Sequence, residues 1–284
     1  MRRHGKVVAR FENLDRGALR SDPGAARLSA AAPSGETVPR LTTAPNRPAI
    51  VSPAARKAIL QRMLFLRSAS LDRVRRLTGI SPAELQKFRR ELRESDLAET
   101  LLRRGAGLAF THELPQGALL YLLVRGARPS RVVETGVGPG YTTAWILSAL
   151  EAAGHGELVS LGPGPTAGRS SGVLNVTVGQ FVPPALRGRW TLALGNSEER
   201  LRSILADSPQ IDLFLYDNGP EPGRARFELR AAWDALSPKG ILLAHHVDAG
   251  PAWLDFCQAQ GQPQQLLDPG PPPMGALGVR ALGA

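Results

Sequence analysis

From about residue 105 to the end of the chain, short apolar runs alternate with longer segments in which apolar positions recur every three or four residues. "RVVETG", "GELVSL", "IDLFLYDNG" and "GILLAHHV" have the length and β-branched content of buried strands. "PQGALLYLLVRGARP", "YTTAWILSALEAAG", "SEERLRSILAD", "GRARFELRAAWDALSP" and "AWLDFCQAQG" carry the helical spacing. Strands alternating with helices predict an α/β fold: a mostly parallel sheet with helices on both faces. In such sheets ligands sit beyond the carboxyl ends of the strands, near the point where strand order reverses. The residues after "VVETG", "LVSL", "FLYD" and "LLAH" should therefore share one crevice.

The pattern divides the chain before that point. Residues 1–52 are rich in Ala, Pro, Ser, Gly and Arg and poor in large apolar residues, which predicts a disordered basic tail. Residues 53–112 read as a helical lead-in. "SPAARKAILQRMLFLRSA" and "SPAELQKFRRELRESDLAETLLRRG" each open with Ser-Pro, a cap followed by proline at the first helical position. Leu85, Phe88, Leu92 and Leu97 are spaced for one buried stripe. Residues 113–284 form the α/β unit.

Charge changes the picture only in the lead-in and tail. The formal net charge is +10, but from Gly105 onward there are 13 Lys and Arg against 15 Asp and Glu. The excess of positive charge therefore belongs to the first 104 residues, and no aromatic stripe accompanies it, so a nucleic-acid partner is not expected. No apolar run reaches the roughly 18 residues of a membrane span. The single cysteine, Cys257, excludes an internal disulfide and fits a cytoplasmic setting. In its helical apolar pattern it reads as a small hydrophobe.

The strongest local chemistry is "VVETGVGPGYTTAWIL". An apolar strand ends in Glu134, and Gly136, Gly138 and Gly140 alternate before a helix that Thr142 and Thr143 could cap. Glycine there permits positive φ and close approach of a ligand to the backbone. The helix offers unpaired N–H groups and a positive dipole end. The spacing is G-x-G-x-G and not the dinucleotide G-x-G-x-x-G.

On these residues the chain resembles the class I S-adenosylmethionine-dependent methyltransferases, in their bacterial small-molecule O-methyltransferase-like branch. "VVETGVGPG" stands as motif I, and "VPPALRGRWTLALGNSEERL", "IDLFLYDN", "FELRAAWDALSPKGILLAHHV" and "MGALGVRAL" follow in the family's order. The resemblance implies a Rossmann-like seven-stranded sheet with an antiparallel last strand, and S-adenosyl-L-methionine as methyl donor. It implies that Glu134 lies near the donor's amino group and that Gly136, Gly138 and Gly140 pass under its amino-acid and ribose portion. Asn196 and Ser197 would face the adenine, and Asp217 would stand between donor and acceptor. The activity implied is methyl transfer to a small-molecule acceptor at a hydroxyl. The alternative is a methyltransferase-like protein that binds without catalysing. A homo-oligomer is compatible with either.

Three departures bear on that choice. Where the family carries an acid for the ribose hydroxyls, this chain has Leu161 and Gly162. Losing that partner costs about 1–3 kcal/mol of binding. The segment "YDNGP" replaces the family's "HDSxH", and His245-His246 replaces an acidic pair. These histidines have three readings: a packed or solvated pair without a role, an acid/base group for the acceptor hydroxyl, or a metal site with Asp217. Adjacent residues of a straight strand point to opposite faces, so the last requires the chain to turn there. A divalent metal is possible there but is not predicted.

Overall fold

The apolar runs become strands and the helically spaced segments become helices, in the predicted alternation. The computed structural model describes residues 65–101, 113–163, 177–207, 210–219, 221–270 and 273–278, with single positions 52, 54, 57 and 61 before them. Apart from Ser52 the expected tail therefore lies outside the described residues, as does nearly all of the helix expected from residue 53.

The described lead-in comprises α1 (Ser68–Thr78), α2 (Pro82–Glu94) and α3 (Leu97–Leu101). Ser81 caps α2 as its spacing predicts. Its Oγ accepts from the Glu84 backbone N–H at 3.2 Å, and Glu84 returns a carboxylate to the Ser81 N–H at 2.8 Å. The sequence pattern suggests one helix from residue 82 to 103. The structure breaks it at Ser95, whose backbone turns to extended φ/ψ while its hydroxyl donates to the Leu92 carbonyl. Leu85, Phe88 and Leu92 are buried, and so is Leu97 beyond the break.

The lead-in packs on α4 (Leu114–Ala127), the first helix of the α/β unit. Arg125 of α4 donates through Nε and Nη2 to Glu91 of α2, at 2.9 and 2.8 Å, with its guanidinium 4.4 Å over the Phe88 ring. That pairing fixes α2 to α4 and leaves the charge satisfied where it is buried.

Beyond α4 come β1 (Arg131–Thr135), α5 (Tyr141–Ala153), β2 (Glu157–Gly162), β3 (Trp190–Leu194), α6 (Ser197–Asp207), β4 (Ile211–Tyr216), α7 (Pro222–Ala235), β5 (Leu236–Ala244), α8 (Ala252–Ala259), β6 (Leu266–Asp268) and β7 (Met274–Gly278). The seven strands form one sheet in the order β3-β2-β1-β4-β5-β7-β6. β1 to β5 are parallel, and β7 runs antiparallel to both β5 and β6. The segment "WTLAL" thus supplies an edge strand that the pattern did not single out. The helix read through "DALSP" stops at Ala235, because Leu236 already turns to extended backbone and begins β5.

Alternation along the strands builds two cores. Val132 packs with α4, α5 and the lead-in on one face, and its neighbour Val133 packs with α6, α7 and α8 on the other. Trp145 and Trp253 are buried as packing residues, and Cys257 is buried with them, its thiol pushed up to about 11 by that burial. Among the described residues no helix is long and apolar enough to cross a membrane.

Candidate active site

Register places the predicted site residues along one edge. Thr135 of β1 pairs with Leu161 of β2 and Tyr216 of β4, Gly162 pairs with Leu194 of β3, and Tyr216 pairs with Ala244 of β5. Each strand ends there, so Gly162 closes β2 and Gly136, Asn196, Asp217 and His245 follow a carboxyl end. Between β1 and β4 the strand order reverses, as a ligand crevice requires.

The glycine turn is needed for three different reasons. Gly136, Gly138 and Gly140 all have positive φ, at +88°, +48° and +88°. A Cβ on Gly136 would lie 2.1 Å from the Asp217 carbonyl oxygen, so this glycine lets the ends of β1 and β4 touch. A Cβ on Gly140 would meet Val182 and Gly179 at 2.8 and 2.9 Å, where the segment before β3 folds over the turn. That segment is pinned by Gly179 N–H to the Gly138 carbonyl at 3.1 Å and by Phe181 N–H to the Pro139 carbonyl at 2.8 Å. At Gly138 a Cβ would meet nothing nearer than 4.0 Å, so the turn is open there. Of the three, Gly138 is the position with room for a ligand against the backbone.

Thr142 and Thr143 do not cap α5. Both hydroxyls turn inward to Glu134, Thr142 Oγ1 to Oε1 at 2.6 Å and Thr143 Oγ1 to Oε2 at 2.7 Å. Ser160 of β2 donates a third hydroxyl to Oε2 at 2.7 Å, and accepts in turn from the Trp190 indole N–H at 2.9 Å. A fully buried carboxylate outweighs the helix end in the competition for donors, since an unmatched buried charge costs more than a half-solvated terminus. Burial raises the Glu134 pKa while the three hydroxyls oppose it, and the net shift is upward. Glu134 thus ties β1, β2 and the start of α5 together beneath the turn. Glu134→Gln is expected to lose about 1–3 kcal/mol of stability, because the amide NH2 cannot accept the hydroxyl that Oε1 or Oε2 now takes. Urea unfolding followed by tryptophan fluorescence, to which Trp190 contributes, measures it.

Across the crevice, Asp217 Oδ1 lies 2.9 Å from His245 Nδ1, and His245 Nε2 lies 2.7 Å from Gln116 Oε1 of α4. The Thr142 hydroxyl also reaches Asp217 Oδ2, at 3.3 Å. One hydroxyl proton serves one acceptor, and the shorter bond to Glu134 takes it. His245 is buried, and its backbone N–H extends the β4–β5 pairing by one bond to the Tyr216 carbonyl at 2.8 Å. The next residue leaves the strand: His246 has φ of +52° and is exposed. The chain does turn at the pair, and the two rings end up on one side with centroids 4.2 Å apart.

One ligand-type atom from each of Asp217, His245 and His246 lies within 4.8 Å of the others. A metal bound there would have to take a His245 nitrogen from Asp217 or from Gln116. Glu113, at the start of α4, adds a carboxyl pushed up to about 7 by burial, with His245 drawing it down and Asp217 pushing it further up.

The remaining predicted residues stand to either side. Asn196 is exposed, and its Oδ1 accepts from the Glu199 N–H at 3.1 Å, so it caps α6; Ser197 is the first residue of that helix. A Cβ on Gly162 would face Leu194 and Val178 at 3.2 Å and Leu192 at 3.6 Å. The place of the missing ribose acid is apolar. Asn218 donates to both oxygens of the buried Glu228, at 3.1 and 2.9 Å, so this side chain is engaged with α7. Gln116 and Ser160 escaped the sequence reading. Their signal was weak but present: each is a lone polar residue inside an apolar run.

Residues 133–247 match a family model described as a methyltransferase domain. Among solved structures the chain is similar to a putative O-methyltransferase from Klebsiella pneumoniae, at 21% identity over 78% of this chain and 94% of that one, with a TM-score of 0.47. It is also similar to the O-methyltransferase TomG from Streptomyces achromogenes, involved in tomaymycin synthesis and solved with S-adenosylmethionine (18% identity, 66% of this chain, 90% of that one, TM-score 0.47). A third is an O-methyltransferase from Bacillus cereus in complex with S-adenosylhomocysteine (15%, 80%, 97%, TM-score 0.45). No curated protein matches.

Proposed function

We propose, from the match of residues 133–247 to a methyltransferase-domain model and the resemblance to the class I S-adenosylmethionine-dependent enzymes, that this protein methylates a hydroxyl of a small-molecule acceptor. The observation that carries the reading is the open, positive-φ Gly138 on a turn whose neighbour Gly136 touches Asp217. A ligand seated on that turn lies beside the carboxylate.

The bound donor would supply an electrophilic methyl on a sulfonium centre. What the chain supplies is alignment and the removal of water. Gly136, Gly138 and Gly140 form the floor for the donor, and Glu134 keeps that floor in shape from below. Asn196 and Ser197 border the adenine side. Asp217 orients donor and acceptor. Of the two histidines, His246 is the exposed one, placed to accept the hydroxyl proton and pass it to solvent.

Calorimetric titration of S-adenosylmethionine and S-adenosylhomocysteine into metal-stripped protein tests the premise. Binding is expected with a Kd on the order of tens of micromolar, weaker than with an intact ribose acid. Absence of heat with either ligand would overturn the reading. The second reading, a domain that binds without catalysing, is favoured by the apolar wall of Leu194 and Val178 at Gly162. Donor binding with no methyl transfer to any of a panel of phenols and sugars would select it.

A further inference from the structure

His245 is bracketed by acceptors. Its Nδ1 faces a carboxylate oxygen of Asp217 at 2.9 Å and its Nε2 faces the amide oxygen of Gln116 at 2.7 Å. Neither atom opposite can donate a proton, so each ring nitrogen must carry one for both contacts to be hydrogen bonds. A ring so placed has no lone pair to offer a substrate. We infer that His245 is a positioning residue held as an imidazolium, a charged clamp that fixes Asp217 against Gln116 of α4, and not the base of the reaction.

The surroundings agree. Burial by itself favours the neutral ring, but Asp217, Glu113 and Asp248 face it and the net shift is above the ordinary imidazole value of 6.5. Asp217 comes from the end of β4, Glu113 from the start of α4 and Asp248 from the loop after β5, where the exposed ring of His246 also lies. Glu113 and Gln116 stand one helical turn apart, so one face of α4 presents both to the ring. The clamp also has a mechanical task. α4 carries the lead-in helices through the Arg125–Glu91 pair, and Gln116–His245 is where that layer meets the carboxyl edge of the sheet. The role in catalysis rests on the function proposed above; the protonation state does not.

The test is a pH titration of the full chain labelled with ¹⁵N-histidine, read by long-range proton–nitrogen correlation of the rings. The His245 signals are assigned by difference with His245→Gln or, should that variant not fold, by substituting the other four histidines singly. At pH 7.5 both His245 nitrogens are expected to be protonated. Gln116→Leu should lower its midpoint by about one pH unit, and Gln116→Glu should raise it. A single protonated nitrogen at pH 7.5 would overturn the inference, since it would mean a neutral ring with Gln116 donating its NH2. In turnover, the rate should fall about tenfold per pH unit above the midpoint, and this falling limb should move with the Gln116 substitutions. A rising limb that moved instead would identify His245 as the base. The ring titration is readable even if calorimetry shows no donor binding, so failure of the clamp and failure of the methyltransferase reading are separate results.

Discussion

Asp217→Ala is expected to lower kcat/KM for methyl transfer by about two to three orders of magnitude while donor affinity falls much less. Asp217 meets three parts of the site at once. Its backbone N–H donates to the Thr135 carbonyl at 2.9 Å, its carbonyl lies where a side chain on Gly136 would go, and its carboxylate holds His245. The backbone contacts survive the substitution and the carboxylate contact does not. Donor seating on the turn should therefore persist, and alignment of the acceptor should be lost. The variant also leaves a buried imidazole without its nearest negative charge, which is expected to cost about 2–4 kcal/mol of stability. That cost depends on pH in a definite direction. The folded pKa of His245 is raised above the unfolded value of 6.5. The pair's contribution is thus fully present below pH 6.5 and disappears as pH rises through the folded pKa. The stability gap between wild type and Asp217→Ala should be wider at pH 6 than at pH 9. Paired urea titrations at the two pH values measure it, and a gap that widened with pH would contradict the ion pair.

Gly136→Ala and Gly138→Ala should separate folding from binding. At Gly136 the new Cβ would sit 2.1 Å from a backbone oxygen at φ of +88°, and neither atom has a rotamer through which to escape. A cost of about 3 kcal/mol or more is expected, from overlap and backbone strain together. That corresponds to a fall in Tm on the order of 10 °C. At Gly138 the Cβ enters open space at φ of +48°, so only the left-handed backbone is penalised, by about 1 kcal/mol. Because that open space is the proposed donor seat, Gly138→Ala should keep its fold and weaken S-adenosylhomocysteine binding by about tenfold or more. Differential scanning calorimetry and donor titration on the same samples distinguish the two. Equal loss of binding at equal stability would place the donor elsewhere.

Much of this was legible from pattern alone. The strand in "SRVVETG" and the helix that starts within "GPGYTT" follow from period and from glycine, and local forces decide both. Which end of the sheet carries the site also follows, because the crevice of an open parallel sheet forms beyond the carboxyl ends, where connections from adjacent strands leave to opposite faces. The histidine pair was visible as an oddity but not as an arrangement. A strand's alternation predicts rings on opposite faces, and one left-handed residue, His246, cancels that prediction. Histidine tolerates the left-handed region better than most side chains, yet nothing local demands it there.

What the sequence by itself determined, then, is the α/β architecture and the edge: four of the parallel strands, helices on both faces, three glycines in a turn and an acid at the end of β4. Each is set by neighbours in the chain. Only the tertiary structure decided the partners. Thr142 and Thr143 could cap a helix or satisfy a carboxylate, and the choice came from burying Glu134 beneath them with Ser160 arriving from another strand. His245 could be base, ligand or bystander, and its character came from Asp217 and Gln116, 28 and 129 residues away in the chain. A side chain's protonation and hydrogen bonds answer to whatever surrounds it in space, and the residues that surround His245 are adjacent only after the sheet has formed.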